Sequence, residues 1–392
     1  MDKKEIKPIV YQINDLVLNR YRITDDFKKN KDKGLHGGMG STIYKAEDIT
    51  VKSTDYFDNK NKTVAIKVIN RANSDVNFND EEWTKMLDEC VTSQRVANKP
   101  NIVNTFDVQK VNNGNTIIIV MEFIDGISLR DYINEKGILQ VKEAVYIFEK
   151  MLNAIKVLHN FKEKIIHRDL KPENIMLTRD LMNVKLIDFG ISTVRATDDK
   201  ILTYEGTTLG TPPYISPDFY RMCQEKDKTT KSKYITEQFD FFALGVIFYE
   251  MLMGEKPFVN KSKNENDIIK VPYTYDPIPI SNVRSDISPA LDNIIFKCLA
   301  TKSNDLQYRY NNVDEILKDL HSYIENPNKS FYQKLIKPKN KRTLQLADIF
   351  NVEKEKQRLR FYNQKWFYWL IFSVTIVISI ISIVLIILHE IK

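Results

Sequence analysis

Cysteine is scarce in this 392-residue chain: Cys90, Cys223 and Cys298 are odd in number and far apart. Neither a disulfide framework nor the spacing of a thiolate metal site is available, and a reducing setting is the simplest reading. Charge of one sign is lacking too. The net charge of +6 is modest and mixed, which argues against a dedicated nucleic-acid binder and puts no nucleic acid among the expected partners. The amino terminus, MDKKEIKPIVYQINDL, has no uninterrupted apolar core and does not read as a secretory signal. The glycine-rich stretch GLHGGMGSTIY at 34–44 lacks the Lys-Ser/Thr pair of a Walker loop, because Ser41 and Thr42 follow Gly40. It also departs from G-x-G-x-x-G: Gly37 and Gly40 fit as second and third members, while Gly34 falls one residue early. By itself this run reads as a surface turn before it reads as a nucleotide site.

Charge is wholly absent from Trp366 to Leu388, WFYWLIFSVTIVISIISIVLIIL. As a helix that run would be roughly 35 Å long, enough to cross a hydrocarbon layer about 30 Å thick, and interfacial aromatics account for its Trp-Phe-Tyr-Trp opening. Lys354, Lys356, Arg358, Arg360 and Lys365 precede it, whereas only His389, Glu390, Ile391 and Lys392 follow. The positive-inside tendency places the bulk of the chain in the cytoplasm, beneath a cell membrane crossed once. Thr375 and Ser379, four apart, would let two such helices approach, so a homodimer is expected.

The rest divides by texture. Strand-like runs occupy 63–70 (TVAIKVIN) and 116–123 (TIIIVMEF), with Asn-Asn-Gly at 112–114 as a hairpin turn, and a helix is predicted between them over 80–97. Helical patterns dominate after Gly126, at 141–161, 239–254, 290–300 and 312–324. The expected class is α+β: a small β-rich lobe, a larger α-helical lobe, and one C-terminal transmembrane helix. The expected divisions are an extension at 1–20, a two-lobed domain at 21–323, a polar and basic linker at 324–365, the span at 366–388 and a tail at 389–392. The polar stretch 49–63 reads as a loop between two strands of the small lobe.

Residues 167–174 read HRDLKPEN, and Asp188-Phe189-Gly190 begins 14 residues after Asn174. Upstream stands Val64-Ala65-Ile66-Lys67. The sequence resembles the eukaryotic-like (Hanks-type) Ser/Thr protein kinases over about residues 21–323, with the catalytic loop, the metal-binding triplet and the lysine strand in order. It is similar to the membrane-anchored kinases of bacteria, but four residues stand where those relatives carry extracellular repeats.

The resemblance implies the bilobal protein kinase fold and transfer of the γ-phosphoryl group of ATP, with Mg²⁺ or Mn²⁺, to protein Ser/Thr hydroxyls. Asp169 would accept the hydroxyl proton and Lys171 would neutralise charge on the transferred group. Asn174 and Asp188 would hold the metal, and Lys67 would contact the α and β phosphates. Its helix partner is one of Glu81, Glu82 and Glu89, with Glu89 favoured by its interval from Pro100-Asn101-Ile102-Val103. Gly37, Gly38, Met39 and Gly40 would cover the phosphates, with Leu35 or Gly34 in the first glycine position and Thr42 or Ile43 over the adenine. Ala65 and Met176 would enclose the base, Met121 would gate the back of the pocket, and the backbone from Met121 through Glu122 to Ile124 would read the adenine edge. Lys171, with Gly210-Thr211, is the form seen in Ser/Thr rather than tyrosine kinases.

In the same comparison Ser216-Pro217-Asp218 stands for Ala-Pro-Glu, with Arg309 as the expected partner of Asp218, and Asp240 matches an aspartate that braces the catalytic loop. Arg168 before Asp169 implies control by an activation-loop phosphate, with Thr203, Thr207 and Thr208 as acceptors. The other reading, a membrane-tethered pseudokinase that scaffolds partners, usually shows loss of one of Lys67, Asp169 and Asp188, and all three are present.

Overall fold

The computed structural model describes residues 7–26, 41–51, 62–73, 79–188, 212–216, 236–258, 275–300, 309–327 and 342–343. Six strands build the small lobe: β1 (Leu16–Val17), β2 (Tyr21–Asp26), β3 (Ser41–Asp48), β4 (Thr63–Asn70), β5 (Thr105–Val111) and β6 (Thr116–Glu122). They pair antiparallel in the order β1-β2-β3-β4-β6-β5. The β5–β6 turn passes through Asn112, Asn113 and Gly114, with φ of 54°, 51° and 86°. These are left-handed conformations that Asn and Gly adopt at least cost.

Successive side chains point to opposite faces of a sheet, so each strand serves two layers. Tyr44, Ala46, Val64, Ile66, Val68, Ile118 and Val120 form one core with Val17, Tyr21 and Ile23. On the other face Ile69, Ile117 and Ile119 pack against Trp83, Met86 and Cys90 of helix α1 (Asp80–Arg95). That second face carries Lys67.

The chain before Tyr21 is part of this lobe. Asn112 Nδ2 donates to the Lys7 carbonyl at 3.0 Å, and Tyr11 N–H donates to the Tyr44 hydroxyl at 3.2 Å. The buried Asn70 amide accepts from Ile9 N–H at 2.9 Å and donates to its carbonyl at 2.8 Å. From residue 7 onward the expected extension at 1–20 is therefore a strap over the first core, and Tyr21 is not a structural boundary. An amide side chain that satisfies both backbone groups of Ile9 does the work of a neighbouring strand, which composition alone does not reveal.

In the large lobe, β7 (Gly126–Ser128), β8 (Ile175–Thr178) and β9 (Val184–Leu186) form an antiparallel sheet in that order. A Cβ on Gly126 would lie 1.9 Å from the Leu177 carbonyl oxygen, so only glycine lets β7 approach β8 this closely. The helices are α2 (Leu129–Lys136), α3 (Val141–His159), α4 (Gln238–Met253), α5 (Pro289–Cys298) and α6 (Val313–Glu325). Every residue of α4 from Phe239 to Met253 is buried. Helix α3 packs against α4, with Phe148 and Phe248 stacked at 4.0 Å. Two charged side chains lie inside α4, Asp240 and Glu250, and Asp240 serves the site below.

A short parallel pair joins β10 (Tyr275–Asp276) to β11 (Arg342–Thr343), and the first compact unit extends to Thr343. The expected linker at 324–365 thus contributes a strand, which its polar composition gives no sign of. Among the described residues no helix is long and apolar enough to cross a membrane. The apolar run 366–388 lies outside them.

Candidate active site

Three segments converge: strand β4 from the small lobe, the loop 167–174 that precedes β8, and the end of β9. Lys67 sits in mid-strand with its side chain 5% exposed, and its Nζ lies 2.7 Å from Asp188 Oδ1. Burial by itself would raise the Asp188 carboxyl, but the charge and hydrogen bond of Lys67, helped by Lys171 and His167, outweigh it and hold that group below the usual carboxylate range. Asp188 and Arg168 both occupy the left-handed region, with φ of 57° and 65°. Such strained backbone outside glycine persists where surrounding contacts fix it.

Those contacts are explicit. The buried Asp240 accepts from the backbone N–H of His167 at 2.9 Å and of Arg168 at 2.8 Å, and bonds His159 Nε2 at 2.7 Å. Burial would raise Asp240, and the His159 bond and charge, the charge of His167 and the Arg168 backbone donor bring it below the ordinary value. The loop backbone is thereby fixed around Asp169, as expected for Asp240. His167 is fully buried; desolvation pushes its imidazole down, and the opposing charges of Asp240 and Asp169 do not make up the difference.

Around Asp169, Lys171 Nζ lies 3.0 Å from Oδ2, and Asn174 Nδ2 donates to the Asp169 carbonyl at 2.8 Å. Ile187 N–H donates to the Asn174 carbonyl at 2.9 Å, which ties the backbone before Asp188 to the loop. Lys67, Asp169, Lys171, Asn174 and Asp188, expected from three separate stretches of sequence, are thus brought into one linked network. With the Asn174 amide nitrogen engaged by Asp169, its oxygen is left to act as a ligand. Together with Asp188 this is an all-oxygen donor set of the kind Mg²⁺ takes, so the residues present fit that ion.

Strand register separates two candidates for the adenine roof. Ile43 is opposite Lys67, and directly paired residues share a face, so Ile43 lies with Lys67, Ala65 and Met121. Thr42 is opposite Val68 and turns to the other core. Met176 is buried in β8, paired with Ser128 and Lys185. Met121, Glu122 and Ile124 are half-buried at the lobe junction. Glu122 N–H donates to the Asn104 carbonyl at 2.8 Å, and that donor is therefore not available to an adenine. Its carboxylate holds Lys185 Nζ at 2.9 Å, a link that nothing in the spacing of 122 and 185 indicates.

Glu81 on α1 is exposed, and the side chains of Glu82 and Glu89 lie outside the described residues, as do Gly34, Leu35, Gly37, Gly38, Met39, Gly40, Phe189, Gly190, Thr203, Thr207, Thr208 and Asp218. Arg309, expected to meet Asp218, is fully buried and donates to the Ala300 carbonyl at 2.7 Å and the Gln238 carbonyl at 3.2 Å.

A family model described as the protein kinase domain matches residues 51–319. A Mycoplasma genitalium protein assigned by name to the serine/threonine-protein kinases is 36% identical over 399 residues, covering 97% of this chain and 98% of that one. One from Mycoplasma pneumoniae is 37% identical over 352 residues, covering 85% and 86%. Serine/threonine-protein kinase PrkC of Bacillus subtilis is 29% identical over 287 residues, covering 73% of this chain and 39% of its own length. Among solved structures, Rad53 1–466 in complex with AMP-PNP superposes with a TM-score of 0.53 at 24% identity, over 78% of this chain and 65% of that one. That likeness shows the fold.

Proposed function

This chain belongs to the protein kinase family and is a serine/threonine protein kinase, and we propose that it transfers the γ-phosphoryl group of Mg-ATP to Ser and Thr hydroxyls of proteins. The observation that carries the reading is the joined pair of clusters, Lys67 with Asp188 and Asp169 with Lys171 and Asn174. A nucleotide complex of a structural neighbour supports an ATP site in the cleft.

Phosphoryl transfer through a loose transition state asks for positioning and charge stabilisation. Lys67 orients and neutralises the nucleotide phosphates. Asp169 accepts the proton of the attacking hydroxyl, and Lys171, bonded to the same carboxylate, faces the charge on the group in flight. Asn174 and Asp188 would hold a divalent ion, which, when bound, would neutralise phosphate charge. Ile43, Ala65, Met121 and Met176 enclose the base.

Two further parts complete the proposal. The activation segment is phosphorylated by the enzyme itself at Thr203 or Thr207, and the run 366–388 anchors the kinase to the cell membrane with the catalytic domain in the cytoplasm. Purified full-length protein, incubated with Mg-ATP labelled at the γ-phosphate and a histone mixture, is expected to label the histones. Asp169→Asn is expected to reduce this by roughly 10²–10⁴-fold. Equal labelling by both proteins overturns the role of Asp169, and no labelling by the wild type overturns the activity. Mass spectrometry of the incubated protein tests the two threonines.

A further inference from the structure

A lysine that no motif singled out lies beside the connection between the lobes. Lys45 stands two residues after Ile43 in β3 and opposite Ala65 in β4, so its side chain shares the face that carries Ile43, Ala65, Lys67 and Met121. Its ammonium lies over the ring of Phe123, with Nζ 4.5 Å from the centroid. Phe123 is the middle residue of the connection 122–124, and both side chains are half-buried. Asp25 is opposite Lys45 in β2, yet among the described residues no carboxylate forms an ion pair with that ammonium. The cation faces the ring instead.

The residue before Phe123 is held from the other side. Glu122 Oε2 accepts from Lys185 Nζ of β9 at 2.9 Å and from Asn104 N–H at 3.2 Å, and Lys185 Nζ also donates to the Ile102 carbonyl at 3.3 Å. Glu122 is therefore fixed to the large lobe and to the chain before β5. Lys45 supplies a separate tie, from the strand that carries Ile43. In β2 an extra residue, Thr24, falls between the partners of Ala46 and Lys45, and its hydroxyl donates to the Lys45 carbonyl at 3.2 Å. Such a bulge interrupts the ladder and raises the local twist, and here the Thr24 hydroxyl holds the Lys45 backbone at that point. An ammonium is attracted to the negative face of an aromatic ring, and more strongly as water is excluded, which half-burial achieves in part.

Resting on the Ser/Thr kinase reading above, we propose that Lys45 and Phe123 form a latch that holds β3 down on the connection between the lobes: Lys45 is a positioning residue that seats Ile43 over the base and keeps the backbone at Ile124 in place along its edge. The charge of Lys45 acts on the ring and not on the nucleotide phosphates, so the latch serves a neutral nucleoside as well as ATP. Asp169, Lys171 and the acceptor hydroxyl do not depend on it.

The test is steady-state kinetics of the full-length chain in detergent, with a histone mixture as acceptor and adenosine as a neutral competitive inhibitor. Lys45→Met, which keeps a long unbranched stem and removes the charge, is expected to raise KM for ATP and the adenosine inhibition constant together, each by about 3–10-fold. The kcat and the acceptor KM should stay within twofold. Lys45→Arg, whose guanidinium also stacks on an aromatic face, should return both constants to within twofold of the wild type. Phe123→Leu should weaken both ligands as well, and the double variant should bind them no worse than the weaker single one. A rise for ATP alone overturns the proposal, since it marks attraction of the phosphates to a nearby charge. Unchanged constants overturn it too, as do additive losses in the double variant and an equal rise in the acceptor KM, which marks general loss of structure. If Phe123→Leu does not fold, Lys45→Met and Lys45→Arg decide by the same criteria. Failure of the wild type to label any acceptor is a separate outcome, which sinks the kinase activity; calorimetric titration of the same variants with adenosine then decides the latch.

Discussion

Lys67 and Asp188 join the two lobes through a 2.7 Å contact between a buried ammonium and a carboxylate one-quarter exposed. Removing Lys67 leaves Asp188 in a desolvated place without its principal counter-charge. Lys67→Met is expected to cost about 1–3 kcal/mol of stability, below the value for a fully buried pair because Asp188 retains some water. Phosphotransfer should fall by at least 10²-fold. Urea unfolding and the label-transfer assay check both; unchanged activity removes Lys67 from the site.

Asp240 satisfies two backbone donors and an imidazole at once. Asp240→Ala orphans all three in a region closed to water, and a loss of about 3–5 kcal/mol is expected. Activity measured well below the melting temperature should fall too, because Asp169 shares that loop. A variant that melts lower but keeps full activity would show that the brace serves stability alone.

His167 carries a pH dependence of definite sign. Burial favours its neutral form in the folded chain, whereas unfolding returns the ring to water and an ordinary pKa near 6.5. Between that value and the lower folded one the unfolded chain binds more protons, so stability rises with pH and is lost as acid is added. Asp188 and Asp240, both held low, add the same sign below about pH 4. Melting temperatures from pH 7.5 to 5.5 should fall for the wild type and fall less for His167→Phe. Parallel curves would exclude His167 as the source.

The register of β3 makes unequal predictions for two neighbours. Ile43→Ala uncovers the base and should raise KM for ATP by about 5–30-fold, the equivalent of roughly 1–2 kcal/mol of lost apolar contact. Thr42→Ala should leave it within twofold. The reverse order would mean that a different side chain roofs the adenine.

Truncation before Trp366 tests the anchor. The full chain should sediment with membranes and resist extraction by carbonate, and the truncated chain should appear in the soluble fraction. Equal distribution of the two would remove the span from the account.

Much of the fold could be read locally. The strand at 63–70 and the helices near 141 and 312 were legible because a face turned to a core imposes its own period on neighbouring residues, and the helix near 239, buried on every side, was legible as a long apolar run. The lysine strand and the loops around Asp169 and Asp188 were legible because that chemistry fixes residue types at fixed intervals. The strap at 7–20 and the strand at 342–343 were not, since each is held by partners far along the chain, Asn70, Tyr44 and Asn112 in one case and Tyr275–Asp276 in the other.

The sequence by itself determined the reaction class and picked out the five residues that the structure gathers into one network, because phosphoryl transfer needs particular groups and names them by type. Tertiary structure decided which neighbour faces the cleft, Ile43 and not Thr42, through a strand register set by the whole sheet. It also decided that Lys45 meets Phe123. They lie far apart in the chain with no local signal between them, and only the pairing of β3 with β4 and of β4 with β6 brings the ammonium over the ring.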